Sequence, residues 1–426
     1  MNLLLRGGHV VDPLTERDEA ADILIRDGVI ALVGPHLDAP RGTDVRELWG
    51  AVVFPGFMDM HVHLREPGAE HKETIASGCA AAAAGGFTAV CSMPNTDPAA
   101  DDASVVRFIQ ERARLCMGGL VDVHPVGAVT MGRKGEHLAP LAELSRAGAV
   151  AFSDDGDPVH DGEILRRALE YAAMEDRPVI QHAQDRSMTR GGLMHEGFQA
   201  TRLGLAGMPS IAETIMVGRD LAIAGFTGGR YHVAHISSAG SVELVRQGKN
   251  RGVAVTAEVT PHHLTLTDEA VSSYDTNTKM NPPLRPREDV EALREGLRDG
   301  TIDVIASDHA PHSFDEKQVE FQAAPFGIVG LETSLGLCLT ELVHGGILTL
   351  VQLAEKCSVN PRKILRLPPV RVAQGERACL TLVDPSLEWT VDPAGFRSRS
   401  RNTPFGGRRL KGRALGIVNN GGVFWA

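Results

Sequence analysis

Residues 56–68 read GFMDMHVHLREPG, which places His61 and His63 two apart at the end of an apolar run. In a strand, side chains alternate faces, so the two imidazoles point the same way and Val62 points the other. Two imidazoles side by side can chelate a cation. Arg65, two residues on, presents a planar fork that matches a carboxylate. Other apolar runs also end in polar groups: Asn95 after FTAVCSMP, Asp154-Asp155 after AVAFS, His182 in PVIQHAQ, His235 in RYHVAHISS and Asp308 in IDVIASDHA. Four imidazoles and two carboxylates suit zinc, which accepts nitrogen and carboxylate oxygen. That set is too large for one tetrahedral ion and fits two ions sharing a bridge.

For such side chains to meet, the runs must be neighbouring strands. Eight short apolar runs recur between residues 56 and 310: GFMDMHVHL, FTAVCSMPN, VDVHPVGAV, AVAFSDDG, PVIQHAQ, RYHVAHISS, GVAVTAEVTP and IDVIASDHA. Between them lie helix-like stretches such as DASVVRFIQERARL, DGEILRRALEYAAM and VEALREGLRDG. Strands alternating with helices predict an α/β fold, a (β/α)8 TIM-like barrel, with chemistry at the carboxyl ends of its strands. Residues 1–50 read instead as short β pieces with a hairpin turn at Asp27-Gly28. Beyond about residue 365 strands return, and Asn420-Gly421 offers another turn. The two ends are expected to pair as a small β-sandwich domain, residues 1–54 plus 366–426, beside a barrel of residues 55–365.

The chain holds 17 histidines, so most must be background. His232 lies three before His235 and so faces the other side of its strand. His262-His263 follow the seventh run, and spacing alone leaves them open as ligands. The net charge is −11, with no long basic run, which argues against a nucleic-acid partner. Six scattered cysteines without a CxxC pair read as buried thiols in a reducing compartment. Arg6 interrupts the N-terminus too early for a signal segment. The uncharged stretch 76–94 is split by Gly85-Gly86 into a helix and a strand, so no membrane association is expected and the reading is cytoplasmic.

HVHLREPG, together with ASDHAPHSFDEK at 306–317, resembles the paired signatures of the dihydroorotases, within the cyclic amidohydrolases. MPNT, FSDDG, QHAQD, HVAHISS, MNPPLR and PFGIVGLET extend the resemblance along the chain. It implies reversible zinc-dependent hydrolysis of dihydroorotate to N-carbamoyl-L-aspartate, in pyrimidine biosynthesis. It assigns His61, His63 and Asp308 to one zinc, His182 and His235 to a second, and Asp155 to the bridge between them. Asp308 becomes the catalytic acid–base. His63, Arg65, Asn95, Asn281, His312 and the Phe326-Gly327 backbone become the substrate contacts. His262 and His263 are not ligands on this reading. Many relatives bridge their metals with a carboxylated lysine, but none of the eight lysines here lies in AVAFSDDG. A homo-oligomer and an association with aspartate carbamoyltransferase are expected as well, and the stretch 313–325 is read as a mobile lid. Another cyclic amidohydrolase (allantoinase or dihydropyrimidinase), a mononuclear deaminase and a non-catalytic dihydroorotase-like scaffold are the alternatives.

Overall fold

The computed structural model describes all 426 residues. The N-terminal strands are β1 (Leu3–Asp12), β2 (Arg17–Arg26), β3 (Val29–Gly34), β4 (Asp44–Glu47) and β5 (Val52–Pro55). Asp27 and Gly28, at φ 51° and 78°, make the two-residue turn between β2 and β3, where Arg26 pairs with Val29. Positive φ at both positions matches the strands' twist, which is why Asp-Gly serves there.

The chain then changes period. β6 (Phe57–Val62), β7 (Phe87–Ser92) and β8 (Asp122–Pro125) form a three-stranded parallel sheet. β9 (Phe152–Ser153) and β10 (Val179–Gln181) follow, and then a short side pair, β11 (Met194–His195) and β12 (Gly207–Met208). β13 (Tyr231–Val233), β14 (Val255–Val259) and β15 (Val304–Ile305) join β9 and β10 in a five-stranded parallel sheet, order β15-β14-β13-β10-β9. Single parallel bridges, Gly127 with Phe152 and Val62 with His309, link the edges of the two sheets.

β6 and β7 are buried along their whole length, as strands covered on both faces must be. Their residues divide between two apolar clusters, Phe57, Val62, Phe87 and Val90 in one, Met58, Met60, Ala89 and Cys91 in the other. Helices fill the connections. Ile75–Ala84 opens with a capping box between Thr74 and Ser77, and Gly86 at φ 89° turns the chain into β7. Ala103–Leu115 is capped by Asp102, and Gly162–Met174 by Asp161. No helix is long and apolar enough to cross a membrane.

The C-terminal strands are β16 (Leu380–Thr390), β17 (Arg409–Asn419) and β18 (Gly422–Trp425). β16 pairs with β5, so both chain ends share one sheet, order β18-β17-β16-β5-β1-β2-β3, with β4 on β1. Leu5, Val10, Ile23, Val53, Leu382 and Val418 belong to its core. The loop between β16 and β17 departs from the expected division. Phe396 and Phe405 share a cluster with Met280, Leu284 and Ile328 as well as with Leu410 of β17, so this loop reaches from its own sheet onto the parallel-strand part of the molecule.

Candidate active site

Six parallel strands send polar side chains to one place. His61 sits in β6 with His63 just beyond it, and their ring centres are 5.4 Å apart. Asp155, His182, His235 and Asp308 follow β9, β10, β13 and β15 by one to three residues each, and Asn95 follows β7.

The two oxygens of Asp155 divide this cluster. Oδ2 lies 3.3 Å from His61 Nε2 and 3.5 Å from His63 Nε2. Oδ1 lies 3.3 Å from His235 Nε2 and 3.6 Å from His182 Nδ1. Asp308 Oδ1 is 3.1 Å from His63 Nε2 and 3.7 Å from His61 Nε2. Two groups of donors could therefore hold a metal: His61, His63 and Asp308, and His61, Asp155 and His235.

Hydrogen bonds on the far side of three rings turn their lone pairs inward. His61 Nδ1 meets Glu258 Oε1 at 2.5 Å, His63 Nδ1 meets Asn95 Oδ1 at 2.8 Å, and His182 Nε2 meets Gln184 Oε1 at 2.8 Å. Each oxygen is an acceptor, so the outer nitrogen carries the proton and the inner one is free to bind a cation. His61 Nε2 is fully buried and has no hydrogen-bond partner. A buried imidazole nitrogen left unpaired and ringed by carboxylates fits a metal ligand.

Charge agrees with this. Burial alone would raise the Asp155 carboxyl, but His61, His182 and His235 outweigh it and hold Asp155 well below the usual range. Asp308 is likewise held ionised, burial being overcome by His63 and His61. Burial would lower His61, yet Asp155 and Glu258 carry it well above its ordinary value, which shows how strongly this point calls for positive charge. Backbone strain collects here too: Arg65, His235 and Asp308 hold φ of 61°, 28° and 47°. Non-glycine residues in the left-handed region are uncommon and persist where the surroundings enforce them.

Above the cluster opens a cavity of about 340 Å³. Its walls bring together His63, Arg65, Asn95, Asn281, His312, Phe326 and Gly327, and no lysine lines it. Arg65 Nε donates to Pro311 O at 3.2 Å; desolvation pulls the guanidinium down to about 10, still cationic at neutral pH. His312 Nε2 donates to Phe326 O at 2.8 Å, and burial next to Arg65 keeps this ring neutral. Asn281 Nδ2 donates to Gln184 Oε1 at 2.8 Å. The 313–325 segment forms a short helix, Phe314–Lys317, tied by Glu316 to Lys72 at 2.8 Å.

Other residues go elsewhere. Asp154 accepts from the Val129 and Thr130 amides at 2.9 and 3.0 Å, behind the cluster. His232 bonds Thr256 Oγ1 at 2.7 Å. His263 is held by Thr260 and by Pro282 O, at 2.8 and 3.0 Å, and neither His262 nor His263 lines the cavity. Sequence reasoning missed Glu258 and Gln184. A glutamate inside the apolar run GVAVTAEVTP was the available signal for the first, and the two-residue spacing from His182 for the second.

Residues 50–241 match the family model described as Dihydro-orotase-like. The chain is 53% identical over 423 residues to a dihydroorotase of Pelotomaculum thermopropionicum, a match covering 99% of this chain and 98% of that protein. The chain belongs to the dihydroorotase family. A dihydroorotase of Syntrophus aciditrophicus is 50% identical over 426 residues, covering 100% of this chain and 99% of that one. Among solved structures, an L-hydantoinase (dihydropyrimidinase) from Arthrobacter aurescens superposes with a TM-score of 0.88 at 25% identity, over 99% of this chain and 95% of the other. A dihydropyrimidinase from Brevibacillus agri NCHU1002 gives 0.85 at 23% identity, over 99% and 95%, a likeness of fold. The two motifs that resemble dihydroorotase signatures supply His61, His63, Arg65, Asp308 and His312, all at this cluster or its cavity.

Proposed function

We propose that this chain interconverts (S)-dihydroorotate and N-carbamoyl-L-aspartate, as a metal-dependent hydrolase of the cyclic amide in pyrimidine biosynthesis. One observation carries the reading at the level of the site: a cationic Arg65 faces the same 340 Å³ cavity as the histidine–aspartate cluster. That pairing suits a small substrate with a carboxylate beside its reactive ring amide. Membership of the dihydroorotase family supports it over the whole chain.

We assign His61, His63 and Asp308 to one zinc, His182 and His235 to a second, and Asp155 to both, because its two oxygens address the two sets of imidazoles separately. When bound, zinc supplies hydroxide at neutral pH and polarises the ring carbonyl. Asp308 accepts the proton released as oxygen adds to the carbonyl carbon, and returns it to the ring nitrogen as the C–N bond breaks. In the ring-closing direction it runs the same transfer backwards. Arg65 takes the substrate carboxylate bidentately, with Asn95 and His312 beside it. Asn95 has an amide N–H available because its oxygen is already committed to His63. Asn281 and the Phe326-Gly327 backbone meet the ring. The same reading closes the eight parallel strands into a (β/α)8 barrel through the Gly127–Phe152 and Val62–His309 bridges, and sets the sheet of both chain ends apart as a small domain.

The test is a substrate panel with metal content measured on the same preparation. Dihydroorotate hydrolysis and N-carbamoyl-aspartate cyclisation, with about two zinc ions per chain, are the expected result. Turnover of allantoin or dihydrouracil in preference to dihydroorotate would move the chain to another cyclic amidohydrolase, and metal binding without turnover would make it a scaffold.

A further inference from the structure

Asn402 lies in the loop between β16 and β17, far along the chain from the cluster, yet its side chain is spent on the cavity walls. Its Nδ2 donates to Ala310 O at 3.2 Å and to Gly327 O at 3.1 Å, and its Oδ1 accepts from the His312 amide at 3.1 Å. Ala310, His312 and Gly327 all line the cavity. An amide has two N–H donors and one oxygen, and here all of them face these loops. The residue is 5% exposed, so water cannot replace what the side chain provides.

The geometry is a clasp between two segments. One carries Arg65's partner carbonyl at Pro311 together with His312; the other carries Phe326 and Gly327. The segments also pair directly, Ala310 N donating to Ile328 O at 2.8 Å, and Asn402 O accepts from Val329 N at 2.9 Å. Two further links hold the clasp's own loop: Ser398 Oγ donates to buried Glu73, and Ser400 Oγ donates to Lys72 O at 2.6 Å. Only a carboxamide offers two donors and an acceptor together in the neutral form, and asparagine's short stem places them here. Aspartate has no donor for two carbonyls, and alanine leaves three buried polar groups unpaired.

We propose that Asn402 is a positioning residue for substrate affinity, holding His312 and the Phe326-Gly327 wall against Arg65 so that the carboxylate meets a preformed pocket. The proposal rests on the reading of Arg65 and His312 as the carboxylate site. Binding energy from a preorganised pocket appears in KM, and none of the Asn402 side-chain hydrogen bonds goes to a residue of the histidine–aspartate cluster itself.

The experiment compares Asn402→Ala, Arg65→Ala and the double variant, with zinc per chain and both kinetic parameters measured in each. For Asn402→Ala, KM for dihydroorotate is expected to rise about tenfold or more, with kcat within about threefold of the parent and zinc content unchanged. The double variant should be little worse than Arg65→Ala alone, because a misplaced pocket has nothing left to misplace. An unchanged KM in zinc-loaded Asn402→Ala, a fall in kcat alone, or a double variant showing the full product of the single effects would each overturn the proposal. If Asn402→Ala does not fold, Asn402→Ser, which keeps one short donor, is read by the same criteria. An Arg65→Ala enzyme with the parent's KM would instead remove the carboxylate site itself, and this proposal with it.

Discussion

His61 Nδ1 and Glu258 Oε1 are 2.5 Å apart, and both side chains are completely enclosed. The second oxygen of Glu258 lies 3.3 Å from His232 Nε2, so one buried carboxylate on β14 sits between a ring on the adjoining β13 and a ring on β6 in the other parallel sheet. A carboxylate behind a ligating histidine fixes its tautomer and raises its basicity. Glu258→Gln keeps an oxygen near His61 but loses the charge, and the zinc affinity of the purified enzyme should fall about 10- to 100-fold in chelator competition. An affinity equal to the parent's would show that His61 needs no such support.

Asp155 offers a separate test of the shared-ligand geometry. With Oδ1 toward His182 and His235 and Oδ2 toward His61 and His63, the proposed two-metal assignment has the Asp155 carboxylate serving both positions, and its removal would take a ligand from each. Asp155→Ala should therefore carry fewer zinc ions per chain than the parent, and its turnover should be lost. Full stoichiometry by elemental analysis would mean that Asp155 does not bridge.

Gly327 is demanded by space as well as by conformation. Its φ is 120°, where L side chains are strained, and an added Cβ would sit 2.7 Å from Ala310 Cβ and 3.4 Å from His312 Nε2. Gly327→Ala should lower stability by about 1–3 kcal/mol, read as a drop in the unfolding midpoint, and push His312 out of place. KM should rise more than kcat falls. A variant matching the parent in both midpoint and KM would show that this wall yields freely.

Much of this was legible because parallel strands leave a strong trace. Runs such as FTAVCS and RYHVA are largely apolar and free of carboxylates, and the residue just past each run falls at one edge of the sheet, which is why His182, His235 and Asp308 could be grouped without any contact information. Asp27-Gly28 and Asn420-Gly421 were legible for an equally local reason, since both pairs adopt the positive φ that two-residue hairpin turns require. Glu258 was not legible, because a charge inside a buried strand makes sense only once its partners are known, His232 on the next strand and His61 from the other sheet. Asn402 was less so: SRSRNTPF alternates without an apolar residue before Phe405 to mark a buried face, and its three partners sit 75 to 92 positions away in sequence. The division at residue 366 followed the return of strand patterning, and nothing local marks that the loop carrying Asn402 returns to the cavity.

Lys317 gives a prediction in pH. It is 4% exposed, and its Nζ donates to Thr276 O at 3.1 Å and Pro325 O at 2.8 Å, tying the 314–325 segment to the rest of the chain. Burial, with Lys279 nearby, pulls its ammonium down to about 7 from an ordinary 10.5, Asp275 and Glu316 only partly opposing. The unfolded chain then binds more protons at this residue than the folded one between about pH 7 and 10.5. The contribution of Lys317 to stability should rise with pH across that window: the cost of a buried ammonium is fully present below about 7 and is relieved as the pH climbs toward the unfolded value. Lys317→Met removes the titration, so the midpoint difference, parent minus variant, should increase between pH 6.5 and 9 when both are followed by thermal unfolding in matched buffers. Profiles that run parallel over that range would place the Lys317 ammonium in water rather than among those carbonyls.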